Sequence, residues 1–576
     1  MAPGQALLEE GRALARAVKV GRCPFFDAQD VSCEADYKRR EAARGRTMQH
    51  AHIGLRSIDR TVEGVRSLAD RANAEGITID RFGITLDWSM GYPSDQREGA
   101  TLGTGIILQS PDDFARITHA APVAAHFGDF MIGLPASLEN TAAAIQAGAT
   151  TIGNMGQYFT FRLPGWDDDV FTTEMTVRAL GLIAAQDTDV LVHSNLDDGF
   201  AGLFEDVTSA IGMAFLERHI VEDLIGAKAS FCFGHHFSSP LSRLAFHAAL
   251  SQRTTTPGSM IYGNTIAYRD TEAGNHASLA SYLLADIQAL KRNPTGHAIN
   301  PVPVTEHLRI PDMDEVLDAQ RFAARLSEHA DGYTSLIDPA PIDEMAERLV
   351  EGGEAFQRRV VGGLADRGVD PQDPAALLLA IKRLGAKRIE TLFGVEATPA
   401  AASRSTVIPA DWVVDLRAVA DEWMARRILD GGDVEGLRVA LATTDVHEHG
   451  AFLVSDILSR LGVEVVVYGV AMDADDLATE ALEAGADVIA VSTYNGVGVP
   501  FVQTLKAELT KAGIDIPIII GGKLNAIPHQ SNTDLPVDAT EAIVDAGAIA
   551  CPDLDAMVPV LRAAAIRRKV RPVAAQ

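Results

Sequence analysis

Short apolar runs alternate with helical patterns along much of this chain. Between residues 80 and 310 the runs are RFGITL (81–86), GIIL (105–108), FMIGL (130–134), TTIG (150–153), DVLVH (189–193), ASFCF (229–233), SMIY (259–262) and a weaker HAINPVPV (297–304). Strands that are apolar throughout are typical of parallel sheets with helices on both faces. Eight of them predict a (β/α)8 TIM-like barrel over residues 81–330, or an open doubly wound sheet if the last strand is absent.

The rest of the chain predicts four further segments. Residues 1–80 predict an N-terminal helical extension, and residues 331–394 predict a helical segment with apolar residues at helical spacing. Residues 395–430 begin with a stretch rich in alanine, serine and proline, which predicts a linker followed by a helix. In residues 431–576 the runs LRVALAT, VEVVVYG, ADVIAVST and IPIIIGG are separated by helices, which predicts a second, doubly wound (flavodoxin- or Rossmann-like) domain.

The charge and cysteine content restrict the partners. The 576 residues include 78 acids and 50 bases, a formal net charge of -28. Such a surface repels nucleic acid and acidic membranes, so neither is expected as a partner and a small-molecule substrate is. Four cysteines without a C-x-x-C pair suit a reducing compartment, and the amino terminus has no uninterrupted apolar stretch. The chain is therefore expected to be cytoplasmic.

Polar side chains gather directly after the apolar runs of residues 81–330. In a barrel the carboxyl ends of all strands open onto one face, where active sites are built. The distribution favours a barrel enzyme over a scaffold. The residues are Asp87, Trp88, Gln109, Asn154, Gln157, Tyr158, His193, Ser194, Asn195, His235, His236, Tyr262 and Asn264.

The stretch TTDVHEHG, residues 443–450, follows the first strand of the C-terminal domain. Asp445 can hold one ring nitrogen of His447 while the other nitrogen points outward as a metal ligand. One histidine is too few for zinc, which takes three or four protein ligands, but it is enough for a metal held by a macrocycle. Gly450 would let a large flat ligand approach the backbone. Glu448 and His449 are expected to face solvent.

These residues resemble the cobalamin-binding signature of corrinoid mutases and methionine synthase. The resemblance covers residues 437 to about 565 and rests on D-x-H-x-x-G, on the serine of VSTYNGVG and on the glycine pair of GGKLN. It implies that His447 is the lower ligand of cobalt, that Asp445 is its hydrogen-bond partner, and that the serine and glycines line a slot for the displaced dimethylbenzimidazole tail. A tyrosine stands where that family usually has leucine. The implied cofactor-binding residues are Asp445, His447, Gly450, Ser492, Tyr494, Gly496, Gly521 and Gly522.

The chain also resembles glutamate mutase, with its barrel and cobalamin-binding subunits fused in one chain. The likeness of the barrel runs through DRFGITLDW, GLPASLENTAAAIQAGATTIGNMGQYFTFRLP, VHSN and PVPVTEHLRIP. The resemblance implies adenosylcobalamin as cofactor, a homodimer, and a role for Glu306 in holding the ribose of the adenosyl group. Glu306 is equally interpreted as an acid at a helix entry.

The substrate-binding positions depart from glutamate mutase. Where that family clamps a dicarboxylate with arginines, this chain has Ser89-Met90-Gly91, Thr104-Gly105 and Met131. A small polar acid other than glutamate is therefore expected. The available replacements are Arg162 and the predicted catalytic residues Gln157, Tyr158, His193, Asn195, His235 and His236, of which the last two could instead be packed strand-end residues.

The function expected from these resemblances is an adenosylcobalamin-dependent carbon-skeleton mutase, which rearranges a substrate radical by a 1,2-shift. Three alternatives stay open. A corrinoid methyltransferase would need a methyl donor, an aminomutase would need pyridoxal phosphate on a lysine, and a corrinoid sensor would need an output module.

Overall fold

The structure is a computed structural model, which describes residues 1–98, 100, 103, 105–268, 271–396, 405–444, 449–468, 472–494, 496–526 and 537–570. The chain divides into two compact units. The N-terminal unit consists of Met1–Leu163 and Asp167–Asp411, and the C-terminal unit consists of Pro164–Trp166 and Trp412–Gln576.

All strand pairs of the N-terminal unit are parallel. Its strands are β1 (Met48–Ile53), β2 (Arg81–Ile84), β3 (Ala124–His126), β4 (Thr151–Ile152), β5 (Leu191–Asn195), β6 (Lys228–Cys232), β7 (Met260–Ile261) and β8 (Ala298–Ile299). They form one sheet of order β3-β2-β1-β8-β7 and one of order β4-β5-β6. Isolated parallel bridges join Phe127 to Ile152 and Phe233 to Ile261. The residue directly after β3 thus pairs with β4, and the residue directly after β6 pairs with β7, so the end strands of the two sheets are connected.

Helices separate these strands and follow them. They are α1 (Gly4–Leu14), α2 (Pro24–Gln29), α3 (Glu34–Ala43), α4 (Ile58–Ala74), α5 (Pro111–Thr118), α6 (Ser137–Gln146), α7 (Met155–Thr160), α8 (Asp169–Ala184), α9 (Val207–Arg218), α10 (Pro240–Ser251), α11 (Glu272–Arg292), α12 (Met313–His329), α13 (Asp331–Thr334), α14 (Pro339–Ala365), α15 (Pro374–Leu384) and α16 (Ala386–Phe393). The last four lie within residues 331–394, for which the sequence predicts a helical segment.

Two predicted strands of this unit are wrong. The run at 130–134 is a buried loop, because Phe130 and Gly133 have φ of 54° and 90°, outside the extended region. The strand at this place is β3, six residues earlier. The run at 105–108 forms only an isolated parallel bridge, Leu86 to Ile106, which extends the end of β2.

One strand was missed inside the segment predicted to be helical. Strand β1 has the sequence MQHAHI, and it pairs with β2 and β8 in the middle of the larger sheet. Its alternate residues His50 and His52 are histidines, so the segment has no apolar run for a pattern search to detect.

The C-terminal unit is the predicted doubly wound α/β domain. Its sheet has the order β10-β9-β11-β12-β15 and is parallel throughout. The strands are β9 (Arg438–Thr443), β10 (Glu464–Val467), β11 (Val488–Thr493), β12 (Ile518–Gly522) and β15 (Ile549–Cys551), with a small antiparallel pair β13 (Asn525–Ala526) and β14 (Val537–Asp538). The helices are α17 (Asp411–Ala425), α18 (Gly431–Val434), α19 (His449–Arg460), α20 (Ala474–Glu483), α21 (Gly498–Lys511), α22 (Thr540–Asp545) and α23 (Val558–Val570).

Alternation along β9 gives this sheet two apolar faces. Val439 and Leu441 belong to a cluster that includes Trp423 of α17, whereas Ala440 and Ala442 belong to a separate cluster with residues of α20 and α21. Successive side chains of a strand point to opposite faces, so one apolar strand supplies both cores. The carboxyl ends of the strands are left for ligands.

Among the helices that the structure describes, none combines the length and apolar character that a membrane span requires.

Candidate functional site

Described residues among the predicted cofactor residues of the C-terminal unit lie at the carboxyl edge of its sheet. Ser492 of the central strand β11 lies opposite Thr443 of β9 on one side and Gly521 of β12 on the other. Asp445 and His447 lie outside the described residues.

Thr444 is held at this edge by two hydrogen bonds. Its backbone N–H donates to the Ser492 carbonyl oxygen at 3.0 Å, and its hydroxyl donates to the Thr493 hydroxyl at 2.9 Å. The chain is therefore fixed to the neighbouring strand β11 at the residue that precedes Asp445.

Gly450 lies against the Ser492 side chain. A Cβ built on Gly450 would lie 2.6 Å from the Ser492 Oγ, so an alanine there would force this hydroxyl to turn away from its present position. Ser492 is only half-buried, so its hydroxyl is available beside the glycine. The first turn of α19 and the end of β11 thus meet through a glycine and a small hydroxyl, as a slot for a flat or narrow ligand requires.

Filling this contact is expected to impair ligand retention. Gly450→Ala should weaken cobalamin binding by about ten-fold or more, because a misplaced or filled contact commonly costs at least about 1.4 kcal/mol. Ser492→Gly removes the colliding oxygen, so the double variant should recover part of the loss. Equilibrium titration with hydroxocobalamin measures all three variants. Equal affinity of Gly450→Ala and the unaltered chain would contradict the slot.

The glycines of the neighbouring loops are also constrained. Gly522 has a φ of 103°, and a Cβ there would lie 2.2 Å from the Thr493 carbonyl oxygen. Gly496 has a φ of 75°, and a Cβ on Gly521 would lie 2.9 Å from the Cys551 carbonyl oxygen. The left-handed conformations favour glycine at two of these positions, and close backbone packing favours it at the third. Three positions of this edge therefore lack a Cβ where the corrinoid resemblance places the cofactor, and the residues present fit that group.

His449 is half-buried rather than fully solvent-facing as predicted, and Glu448 lies outside the described residues. Its ring stacks on the Trp412 indole with centroids 4.8 Å apart and planes 15° from parallel, and Phe452 packs edge-on against the same indole. The second histidine of the loop therefore has a packing role at the start of α19.

Tyr494 and Lys523 form a pair at this edge. The Lys523 Nζ donates to the Tyr494 hydroxyl at 2.9 Å and lies 4.2 Å from the centroid of the ring. The tyrosine that replaces the usual leucine is therefore engaged by a cation from the loop after β12.

The interior of the N-terminal unit contains a buried polar layer. His50, Arg81, His126 and His193, from four strands, are each at most 3% exposed. The His126 ring lies edge-on to His193, with centroids 4.4 Å apart, and the His193 Nδ1 is 2.8 Å from the Ser259 hydroxyl. Burial first, and then the nearby Arg81, holds the pKa of His50, His126 and His193 well below the usual value. Both effects favour the neutral form of the three rings.

A buried carboxylate balances the cations of this layer. Glu34 accepts hydrogen bonds from the Arg81 Nε at 2.9 Å and from the Thr151 hydroxyl at 2.7 Å, and the Lys38 Nζ lies 3.3 Å away. Burial alone would raise the pKa of Glu34, but Arg81 and Lys38 bring it below the usual value. Among the described residues, no group of three or more histidine, cysteine, aspartate or glutamate side chains is placed to hold a metal ion.

Acid is expected to destabilise this unit through its buried histidines. Burial lowers the pKa of His247, which is 1% exposed, to about 4. An unfolded histidine titrates near 6.5, so the unfolded chain takes up the proton first as pH falls. The stabilisation is complete above about pH 6.5 and is lost toward pH 4, with about 2 kcal/mol lost by pH 5 for one such ring.

Urea unfolding at pH 7 and pH 5 measures this loss. His247→Gln should reduce the difference in unfolding free energy between the two pH values, whereas His329→Gln, at an exposed position, should leave it unchanged. A difference that is the same in both variants would show that the buried ring is not responsible.

Carboxylates surround the carboxyl ends of β3 to β5. The Asn154 Nδ2 donates to the Asp198 Oδ2 at 2.8 Å, and the Gln157 Nε2 lies 3.5 Å from the Asp129 Oδ1. Burial and then the like charge of Asp198 raise the pKa of Asp129 to about 7. Both acids are partly exposed, so they can reach a bound molecule. The sequence does not point to Asp129, because the predicted strand at 130–134 begins after it. Asp198 could have been found, since it follows the predicted strand at 189–193.

His235 and His236 are organised by a third acid. Asp197, which is 5% exposed, accepts the backbone N–H of both residues at 2.9 and 3.2 Å, and the His236 Nδ1 lies 3.2 Å from the same carboxylate. The His235 ring packs edge-on against Tyr262 at 5.7 Å. Both histidines remain partly exposed at the strand ends.

The other predicted catalytic residues differ in their placement. Asn195 is at the end of β5, and its side-chain oxygen accepts the Asp197 N–H at 3.2 Å. The Gln157 Oε1 accepts the Phe130 N–H at 2.8 Å. Tyr158 is completely buried, and its hydroxyl lies 2.9 Å from the Thr173 hydroxyl of α8. This placement removes Tyr158 from the candidates for substrate contact.

Glu306 lies in an exposed turn after β8, where its N–H donates to the Pro303 carbonyl oxygen at 3.1 Å. It is close enough to Tyr262 to contribute, after burial, to the raised pKa of that hydroxyl. Glu306 therefore belongs to the same carboxyl-end region as His235 and Asp129.

The comparisons with known proteins bear on the C-terminal unit. The sequence profile of the B12 binding domain matches residues 437–546, which contain β9 to β14 and the carboxyl edge described above. The C-terminal unit therefore contains a B12-binding domain, and cobalamin is its cofactor class.

Two relatives match a stretch of similar size. The chain is 28% identical to ethylmalonyl-CoA mutase of Methylorubrum extorquens over 137 residues, which are 24% of this chain and 19% of that protein. It is 26% identical to ethylmalonyl-CoA mutase of Cereibacter sphaeroides over 99 residues, 17% of this chain and 15% of that protein. The matched stretch thus spans less than one fifth of either relative.

Proposed function

We propose that this chain is an adenosylcobalamin-dependent carbon-skeleton mutase that acts on a small polar acid other than glutamate. The observation that carries the proposal is the B12-binding domain, whose sheet edge brings Gly450, Ser492 and Gly521 together. The similarity of part of the chain to two ethylmalonyl-CoA mutases supports a mutase over a methyl carrier or a sensor.

Within the C-terminal unit, the proposed roles follow the sheet edge. His447 would bind cobalt from below, and Asp445 would keep the imidazole in the required tautomer through a hydrogen bond. Ser492 and the glycines Gly450, Gly521 and Gly522 would line the slot for the nucleotide tail. When bound, adenosylcobalamin supplies a carbon radical by homolysis of its cobalt–carbon bond.

For the N-terminal unit, we propose that the eight strands close into a (β/α)8 barrel. The two isolated bridges, Phe127 to Ile152 and Phe233 to Ile261, support closure because they connect the end strands of both sheets. In such a barrel the substrate binds at the carboxyl ends of the strands. Glu306, at that end, remains the proposed contact to the adenosyl ribose.

The proposed substrate contacts are Gln157, Asn195, His235 and His236, together with the acids found there. Asp197 holds His236 and orients its ring. The carboxylates of Asp129 and Asp198 would repel a second carboxylate on the substrate. Where glutamate mutase has arginines, Ser89, Met90 and Met131 are buried and carry no charge. These features favour a substrate other than a dicarboxylate, and His193, buried below the strand ends, would support the site rather than contact the substrate.

Electron paramagnetic resonance tests the proposal. The full chain loaded with adenosylcobalamin is incubated anaerobically with a panel of short carboxylic, amino and hydroxy acids, and the samples are frozen. A spectrum of cobalt(II) coupled to an organic radical with one class of acid is the expected result. Methyl transfer from methylcobalamin without any radical signal would contradict the mutase and favour the methyltransferase.

A further inference from the structure

Lys523 is held in place at the carboxyl edge of the C-terminal sheet. It directly follows Gly522, and its backbone N–H donates to the Thr493 carbonyl oxygen at 2.9 Å. Its Nζ is 2.9 Å from the Tyr494 hydroxyl and 4.2 Å from the centroid of that ring. Backbone and side chain are therefore both tied to the end of β11, which contains Ser492.

The charge of this lysine is distinctive at its place. The described residues that line the edge between β9, β11 and β12 are Thr444, Ser492, Thr493, Tyr494, Gly496, Gly521, Gly522 and Lys523, and within this set Lys523 has the only formal charge. The chain as a whole has a net charge of -28. A cation retained beside the glycines of this edge suits an anionic group of the ligand.

The ligand class offers one such group. The peripheral side chains of cobalamin are neutral amides, whereas its nucleotide tail contains a phosphodiester with a single negative charge. We infer that Lys523, steadied by Tyr494, binds the phosphodiester of the cobalamin nucleotide tail. This inference rests on the proposed cofactor, and it makes Lys523 a residue that distinguishes corrinoids with a nucleotide tail from those without one.

Tyr494 explains how a lysine can serve this purpose. A lysine side chain usually loses rotational freedom when it binds a ligand. Here the contact with the Tyr494 ring and hydroxyl already restricts Nζ before the ligand arrives, and a cation over an aromatic face is itself stabilised. Tyr494, 39% exposed, thus takes a positioning role that the usual leucine could not supply.

The test compares two corrinoids with the full chain. Hydroxocobalamin has the nucleotide tail and its phosphodiester, whereas diaquacobinamide lacks both. Lys523→Ala should weaken hydroxocobalamin binding about ten-fold, the scale of one charge-assisted hydrogen bond, and leave diaquacobinamide binding unchanged. Lys523→Arg should retain most of the affinity. Lys511→Ala is the matched control, because Lys511 pairs with Glu508 on α21 and should affect neither corrinoid.

The outcomes separate this inference from the proposed function. Selective loss of hydroxocobalamin binding that shrinks at high salt supports the phosphate contact. Equal loss of both corrinoids, or no loss of either, overturns the role of Lys523 while the cofactor proposal stands. If the unaltered chain binds neither corrinoid, the cofactor proposal fails and the role of Lys523 fails with it.

Discussion

Replacing His447 by alanine is expected to abolish most of the cobalamin retention of this chain. Three residues before His447, Thr444 is hydrogen-bonded to β11, and three residues after it, Gly450 lies beside Ser492. A ligand to cobalt at this place would be lost outright. Loss of even the hydrogen-bond partner of a metal ligand costs about 10–100-fold in affinity, so His447→Ala should cost at least about 100-fold. Equilibrium titration with hydroxocobalamin measures the change.

His449→Ala is the matched control, since it removes the other histidine of the same loop. Its ring stacks on Trp412, so the variant should unfold more easily but bind cobalamin nearly as tightly. Similar loss of cobalamin binding in both variants would indicate that either substitution disrupts the structure around residues 447–449. It would remove His447 from its proposed role.

Arg81→Met is expected to have the largest effect on stability. The side chains of Arg81 and Glu34 are 2% and 3% exposed, and the Arg81 Nε lies 2.9 Å from the Glu34 Oε1. Without Arg81 the Glu34 carboxylate loses its nearest cation and keeps the Lys38 Nζ, 3.3 Å away. Breaking a buried ion pair typically costs about 3–5 kcal/mol. Urea unfolding followed by circular dichroism should show that reduction in the unfolding free energy of the N-terminal unit.

An exposed ion pair serves as the reference for this variant. Arg253 pairs with Glu354 at 2.6 Å, with side chains 40% and 37% exposed. Arg253→Met should cost only about 0–1 kcal/mol, because solvent screens the pair. An effect of Arg81→Met as small as that of Arg253→Met would contradict the buried polar layer.

Four strands of the C-terminal sheet, β9 to β12, could be predicted from the sequence. Strand β9 is apolar on both faces, with Val439 and Ala440 in separate clusters, so it appears as an uninterrupted run. The three-residue strand β15 and the two-residue strands β13 and β14 are too short to appear as runs. The glycine pair and Ser492 could be placed together because parallel strands end at one edge. The stacking of His449 on Trp412 could not be predicted, because the two residues are far apart in the sequence and no local pattern links them.

The N-terminal unit was less predictable because its interior is polar. Strand β1 has His50 and His52 at positions where a buried strand usually has apolar residues. Strand β3 likewise ends in a histidine, His126. The apolar run after β3 predicts a strand that begins at Phe130. The φ of 54° at Phe130 is incompatible with a strand. The error also hid Asp129, which lies between the true strand and the false one.

The central claim is that His447 coordinates cobalt. Nitrogen hyperfine structure in the electron paramagnetic resonance spectrum of bound cobalt(II) cobalamin tests it most directly. The chain is grown with histidine labelled with nitrogen-15, loaded with unlabelled cobalamin and reduced to cobalt(II). Coordination by His447 predicts that each cobalt line splits into two, and that His447→Ala loses this splitting. A splitting into three, from the unlabelled dimethylbenzimidazole nitrogen still on cobalt, would contradict it.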